Sequence, residues 1–217
     1  MASPLDKARN NPKSKKGKIL AAARSLFGKY GYHGATTRMI ADKVGIDISA
    51  LYYHWGEKSD LFEAVIQDVN RDIQIAIKEF ENKIAGQPLE KRVELSLDTM
   101  CDYLFTHPEV SNLILHLYFS KIRNEDFFDL QVPDFINNIA VAMGLALDEQ
   151  NIPVHAKTGI LAIWNSVFNF IAGERIFRPM LNVSHKKYIK VVKETLKFIL
   201  IPQQMSKSKS KVKLIPG

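Results

Sequence analysis

Helical periodicity runs through almost the whole of this 217-residue chain and leaves room for little besides packed helices. Ile19, Leu20, Ala23, Leu26, Phe27 and Tyr30 repeat at the three- and four-residue spacing of one helix face, with Gly31 following as a left-handed cap. Thr36 or Thr37 caps a short second helix through Val44. Asp47 or Ser49 caps a third through His54. Leu61, Val65, Val69, Ile73, Ile77, Phe80 and Ile84 mark a fourth, a rod of roughly 40 Å beginning near Glu57. Five more follow: Pro88 to Thr106, His107-Pro108 to about Lys121, Asp134 to Gln150, Pro153 to Phe177, and His185 to Leu200, where Pro202 stops the chain. Residues 122–133 read as a loop. No segment alternates with the period of a strand, and no unit of 20–50 residues repeats. The fold class expected is all-α, with nine helices.

Hydrophobic residues at 46% and charged residues at 24% supply an ordinary core, which excludes fibrous and wholly disordered chains. Cys101 is the single cysteine, so an intrachain disulfide and a thiolate metal cluster are both excluded. Met1 to Lys18 is polar and basic, unlike a secretory signal. The longest uncharged run, Thr158 to Gly173, is interrupted by Asn165, Ser166 and Asn169, and falls short of the ~20 apolar residues of a membrane helix. A soluble, cytoplasmic protein without membrane contact is expected.

The charge is unevenly placed. Residues 1–60 carry +6, residues 61–202 carry −3, and residues 203–217 carry +4. A basic head on an acidic body points to a polyanion partner at one end, although such a bias also serves solubility. The division expected is a disordered basic tail over 1–18, a head over 19–60, a body over 61–202 and a second disordered basic tail over 203–217.

Within the head, Ala41 and Gly45 stand four apart, Gly45-Ile46-Asp47 makes a three-residue turn, and Leu51 lies six beyond Gly45. A helix-turn-helix needs a small residue where its helices cross and a residue tolerant of positive φ in the turn. Ile40, Val44, Ile46 and Leu51 would dock the second helix on the first. Any helical hairpin can show this spacing, so by itself it leaves DNA binding open.

Ala22, Arg24, Leu26 and Phe27, then Tyr30-Gly31-Tyr32, Ala35-Thr36-Thr37, Ile40-Ala41, Val44-Gly45-Ile46, Leu51-Tyr52-Tyr53-His54-Trp55, Lys58 and Leu61 resemble the amino-terminal domain of tetracycline-repressor-type (TetR) transcriptional regulators. The resemblance spans about Ile19 to Ile66; the rest matches in architecture only. It implies a two-domain fold and a homodimer on palindromic double-stranded operator DNA, released when a small molecule enters the body. By position it implies phosphate and nearby base contact for Thr37 and Arg38, base reading for Ile48, Ser49 and Ala50, and phosphate contact for Tyr52, Tyr53, His54 and Lys58. Helix amino termini attract phosphate, and Tyr, His and Lys donate to its oxygens. Ile48 either meets thymine methyls or packs inside the head. Of the two tyrosines, Tyr53 is the one expected at phosphate. Ala50, Trp55 and Gly56 depart from the residues usual in the family.

In the body, Asn165 and Asn169 share a helix with Trp164 and Phe168, while His116 neighbours Tyr118 and Phe119. Apolar walls with a few polar anchors suit a small, largely hydrophobic ligand. These seven residues are the candidate pocket; the bland alternative places them at a dimer interface or in solvent. The dimer is expected through the eighth and ninth helices, with Ile160, Ile163, Val167, Ile171, Val191, Thr195 and Ile199 as candidates. No two of the six histidines stand three to five apart, and no nucleotide or nucleophile motif occurs, so neither a metal, a cofactor nor an enzyme is expected. Two functions remain: a ligand-responsive DNA-binding regulator, probed by steeply salt-dependent operator binding, and a helical carrier or enzyme whose basic head is incidental.

Overall fold

The computed structural model describes residues 3–84, 86–119 and 132–209, and every regular element among them is a helix. Eleven helices stand among the described residues where nine were expected in all: α1 (Pro4–Asn10), α2 (Lys15–Gly34), α3 (Thr37–Val44), α4 (Ile48–Trp55), α5 (Lys58–Ile84), α6 (Leu89–Thr106), α7 (Pro108–Phe119), α8 (Val132–Ala142), α9 (Val154–Ala172), α10 (Glu174–Met180) and α11 (His185–Lys209). The chain divides into two units, one of Met1–Ile75 with His107–Leu130, the other of Ala76–Thr106 with Gln131–Gly217.

The first extra helix corrects the disordered tail expected over 1–18. Ser3 and Asp6 form a reciprocal capping box: the Asp6 N–H donates to Ser3 Oγ at 3.1 Å and the Ser3 N–H to Asp6 Oδ2 at 3.0 Å. Leu5 and Ala8 are buried. Net charge over the segment concealed a short amphipathic face that a neighbouring surface covers. The second extra helix arises because the expected eighth helix breaks at Gly173, and Pro179 falls inside α10.

Other boundaries move too. Gly31 (φ 69°, ψ 175°) kinks α2, which continues to Gly34. The helix α8 stops at Ala142 instead of Gln150: Gly144 has φ 70°, and Leu145 N–H turns back to the Ala140 carbonyl at 2.8 Å. The helix α11 runs past Pro202 to Lys209, correcting the stop expected at Leu200 and the disorder expected from 203. A proline removes one backbone bond of a helix, and here the helix continues past it. Most of the loop expected over 122–133 and the end of the second tail, 210–217, lie outside the described residues.

In the first unit α2 lies along α7. Gly28 is at the contact: a Cβ there would stand 2.7 Å from Glu109 Cβ and 3.1 Å from its Cα, so only glycine permits this approach. Phe27 is fully buried, edge-on to Phe62 at 5.0 Å between ring centres. Association of α7 with α2 corrects the simple division at residue 60, since residues 107–130 count with the head's unit. Periodicity reports which face of a helix is apolar, not which helix covers it.

In the second unit α6 packs on α11. Leu97, Cys101 and Leu104 face Val192 and Leu196 from the core, and an ionic seam runs along the rim. Lys193 meets Asp102 at 2.5 Å, and Lys197 meets Asp98 at 2.6 Å. Tyr188 is wholly buried and its hydroxyl donates to the Phe170 carbonyl at 2.7 Å. Burial pushes the Cys101 thiol up to about 12, which keeps it protonated and unreactive. Ile160, Val167 and Ile171, expected at a dimer interface, are buried in the chain's own core.

Candidate nucleic-acid interface

The helix-turn-helix is built around Gly45. It adopts the left-handed conformation (φ 73°, ψ 44°), and its N–H donates to the Ala41 carbonyl at 2.9 Å, joined by the Ile46 N–H at 3.1 Å. A Cβ at Gly45 would touch nothing, so the backbone conformation alone demands glycine there. Thr36 caps α3, its hydroxyl accepting from the Met39 N–H at 3.2 Å. Ile40, Ala41 and Leu51 are buried between the helices, and Trp55 anchors the end of α4 by donating its indole N–H to the Lys16 carbonyl at 3.1 Å.

Gly56 ends α4 with φ 74°. The Asp60 carboxylate occupies the space of a Cβ at that position and accepts from the Glu57 N–H at 2.7 Å, opening α5. The departure at residue 56 thus has a structural cause: a longer side chain would meet both a strained φ and this carboxylate.

The structure brings the nine candidate DNA residues onto three consecutive helices of one unit. Arg38 at the start of α3 and Ser49 in the first turn of α4 are exposed, while Thr37, Ile48 and Ala50 are half-buried. Half-burial of Ile48 is compatible with either role considered for it. Tyr53 is 86% exposed against 40% for Tyr52, which makes Tyr53 the freer donor. His54 lies edge-on to Tyr53 at 5.3 Å. Burial, followed by the charges of Lys16 and Lys15, holds its pKa below the usual histidine value, so it stands neutral at pH 7 with one ring N–H to donate. The Lys58 ammonium sits 4.5 Å above the Tyr32 ring, and burial lowers its pKa. A partly desolvated cation of this kind gains from an incoming phosphate.

An ionic cluster joining α1, α2, α5 and α7 escaped the sequence reading. Arg24 of α2 binds Asp68 at 2.9 Å, Asp72 at 2.5 Å and Glu109 of α7 at 3.3 Å. Arg9 of α1 binds the same two aspartates, with 2.9 Å to Asp72. Asp68 and Asp72 stand one turn apart beside Val65 and Val69, and two carboxylates bordering an apolar stripe were the available signal.

The seven candidate ligand residues are not all of one unit. His116 and Tyr118 belong to the first, where the His116 ring would stand 3.1 Å from a Cβ at Gly31 and Tyr118 is exposed. The side chain of Phe119 lies outside the described residues. Trp164, Asn165, Phe168 and Asn169 belong to the second. Trp164 packs against the buried Ile136, Ala140 and Ile160, and lies 6.1 Å from Phe168. Both amides donate to their own helix, Asn165 to the Leu161 carbonyl and Asn169 to that of Asn165, each at 2.8 Å. Backbone carbonyls one turn back satisfy these groups without a ligand, an alternative that sequence spacing cannot exclude. Among the described residues, no group of three or more His, Cys, Asp or Glu is placed to hold a metal, and no helix is long and apolar enough to cross a membrane.

Residues 19–65 match the family model described as bacterial regulatory proteins, tetR family. The chain is similar to the HTH-type transcriptional repressor AcnR of Corynebacterium glutamicum, with 34% identity over 61 residues, 28% of this chain and 32% of that protein. It spans about a third to a half of the length of the curated relatives it matches. Its fold is similar to a TetR-like transcriptional regulator from Rhodococcus sp. RHA1 (TM-score 0.62, 16% identity, 87% of this chain and 94% of that one). It is also similar to the regulator FadR of Bacillus subtilis, solved with stearoyl-CoA (TM-score 0.60, 14% identity, 86% and 98%). At these identities the likeness to solved structures is one of fold.

Proposed function

We propose that this chain, whose residues 19–65 match the tetR family model, is a TetR-type repressor that binds a palindromic operator as a homodimer and is released by a small hydrophobic molecule. One observation carries the reading: the Gly45 turn leaves Arg38, Ser49 and Tyr53 exposed on a small basic surface that ends at Lys58. In this reading Ser49, with Ile48 and Ala50, meets base edges in the major groove. Thr37, Arg38, Tyr52, Tyr53, His54 and Lys58 hold the backbone. The reading makes the protein a regulator and not an enzyme.

An operator found by unbiased selection provides the test. Lys58→Ala is expected to weaken binding across sequences and to reduce the salt slope by about one unit. Replacement of Ser49 is expected to shift preference at one base position while leaving that slope alone. Parent-like behaviour in both variants would remove the reading helix from the groove.

Dimerisation is assigned to α9 and α11. With Ile160, Val167 and Ile171 buried in the chain's own core, the remaining candidates are Ile163, Val191, Thr195 and Ile199, joined by Phe198 at 81% exposure. An apolar ring that exposed on a long helix suits a bundle across a two-fold axis. Phe198→Asp is expected to sediment as a monomer and to lose operator binding. A stable dimer would move the interface elsewhere.

For the effector, the apolar surroundings of Trp164 and the acyl thioester held by FadR support a largely hydrophobic, acyl-bearing compound. The helix α5 runs unbroken from the proposed phosphate contact Lys58 to Ile84, and its residues count with both units. In this reading the effector must bind the DNA-incompetent arrangement more tightly than the competent one. Coupling of ~1–3 kcal/mol would weaken operator binding about 5- to 150-fold, with DNA weakening the ligand reciprocally. Stearoyl-CoA titrated against free protein and protein–operator complex reads this. Equal affinity in both would exclude it as the releasing ligand.

A further inference from the structure

The segment before the matched residues 19–65 is held in place, and its charges are sorted. Arg9 joins α1 to Asp68 and Asp72 of α5, and Arg71 of α5 meets Asp6 of α1 at 2.7 Å. The chain then turns tightly: Ser14 caps α2, and the buried Gly17 leaves no room for a Cβ, which would stand 2.6 Å from the Pro12 carbonyl oxygen and 2.8 Å from that of Asn11. Lys15 and Lys16 thus open an anchored helix instead of trailing in a tail.

Their position relative to α4 is fixed from the other side. The Lys16 carbonyl accepts the Trp55 indole N–H, and its ammonium lies 5.7 Å from the centre of that ring. The contact with Trp55 sets Lys16 beside the end of α4 that carries His54, and the charges of both lysines add to burial in lowering the His54 pKa. The arginines nearby, Arg9 and Arg24, are compensated by aspartates. Neither Lys15 nor Lys16 is paired with a carboxylate among the described residues. Two adjacent uncompensated cations, Lys16 held against Trp55 and Lys15 exposed at its side in the chain, repel one another until a polyanion arrives. A merely solvated basic face requires no such anchoring.

We infer that Lys15 and Lys16 form a second contact to the DNA backbone, gripping phosphates that flank the groove read by α4, and that α1 is the strap holding them there. The inference rests on reading the helix-turn-helix as a DNA-binding head. Lysines held at the start of a docked helix form a preformed surface, which loses less entropy on binding than a disordered tail would.

The test uses the full chain and a random-sequence duplex of about 30 base pairs, with affinity read by fluorescence anisotropy across a salt series. Lys15→Ala with Lys16→Ala is expected to reduce the slope of log affinity against log salt by about two units, and Lys15→Arg with Lys16→Arg to restore it. A slope unchanged in the alanine pair, while Lys58→Ala lowers it, would overturn the second contact and leave the head intact. A loss that arginine fails to restore would also overturn it, because charge would not be the cause. If the parent shows no salt-dependent binding, or Lys58→Ala leaves the slope unmoved, the DNA-binding head itself fails and the second contact with it.

Discussion

Arg24→Ala is expected to destabilise the protein by about 3 kcal/mol at pH 7, the low end of the cost of breaking a buried ionic contact. The side chain is only 13% exposed and binds three carboxylates, of which Asp68 is the most buried. Its loss leaves Arg9 alone against Asp68 and Asp72, with Glu109 unpaired from α2. The low end applies because Asp72 and Glu109 retain water contact and Arg9 still compensates part of the charge. Arg24→Lys is expected to recover only part of this, since one ammonium can serve Asp68 and Asp72 as Nη1 does but has no second nitrogen to reach Glu109 as Nε does.

The same cluster sets the response to acid. Burial alone would raise the Asp72 carboxyl, but hydrogen bonds and charges from Arg24 and Arg9 outweigh it and hold its pKa below the usual aspartate value. A carboxyl lowered in the folded state stabilises fully above its unfolded pKa of about 4, and that contribution is lost as pH falls through the folded value. Arg24→Ala brings Asp72 back toward its ordinary range, so the acid transition should begin at higher pH than in the parent. Urea unfolding at pH 7, with a pH titration followed by circular dichroism, measures both effects. A loss below ~1 kcal/mol, or an unmoved acid limb, would reduce the cluster to ordinary surface pairing.

Phe27→Ala is expected to cost about 3–5 kcal/mol, a large share of the ~5–15 kcal/mol that stabilises a typical domain. Phe27 is fully buried, with ring centres 5.0 Å from Phe62 and 6.2 Å from Tyr32. Removing it opens a cavity between α2 and α5 and withdraws support from Tyr32, over which Lys58 sits. Operator binding should therefore fall along with thermal stability. Phe27→Leu, which fills most of the volume, should retain the greater part of both. Differential scanning fluorimetry and operator anisotropy on the two variants test this, and a melting temperature unchanged in Phe27→Ala would contradict the packing.

Helices and their partners were legible to different degrees. The apolar stripes of α2, α5 and α6 could be read from spacing, because a 3.6-residue period needs no partner to be visible. So could the turn at Gly45, where the backbone demands positive φ, and the set of residues opening α3 and α4. The docking of α1 could not: Leu5 and Ala8 are too few to make a periodic signal, and the ion pairs that fasten it, Arg9 to Asp68 and Asp72 and Asp6 to Arg71, join residues distant in sequence. The break at Gly173 and the end of α8 at Ala142 depended on local turns that a continuous apolar run concealed.

By itself the sequence determined the all-helical class, the reading hairpin and the chemical type of each residue available on it. Only the tertiary structure decided which of those residues face solvent. It also placed α7 with α2 through Gly28, joined Arg9 and Arg24 to Asp68 and Asp72, and turned the amides of Asn165 and Asn169 back onto their own helix. The reason is physical. A repeat along the chain encodes which side of a helix avoids water, whereas the partner that covers that side, and the charge that compensates a buried one, is chosen by packing between segments far apart in the chain.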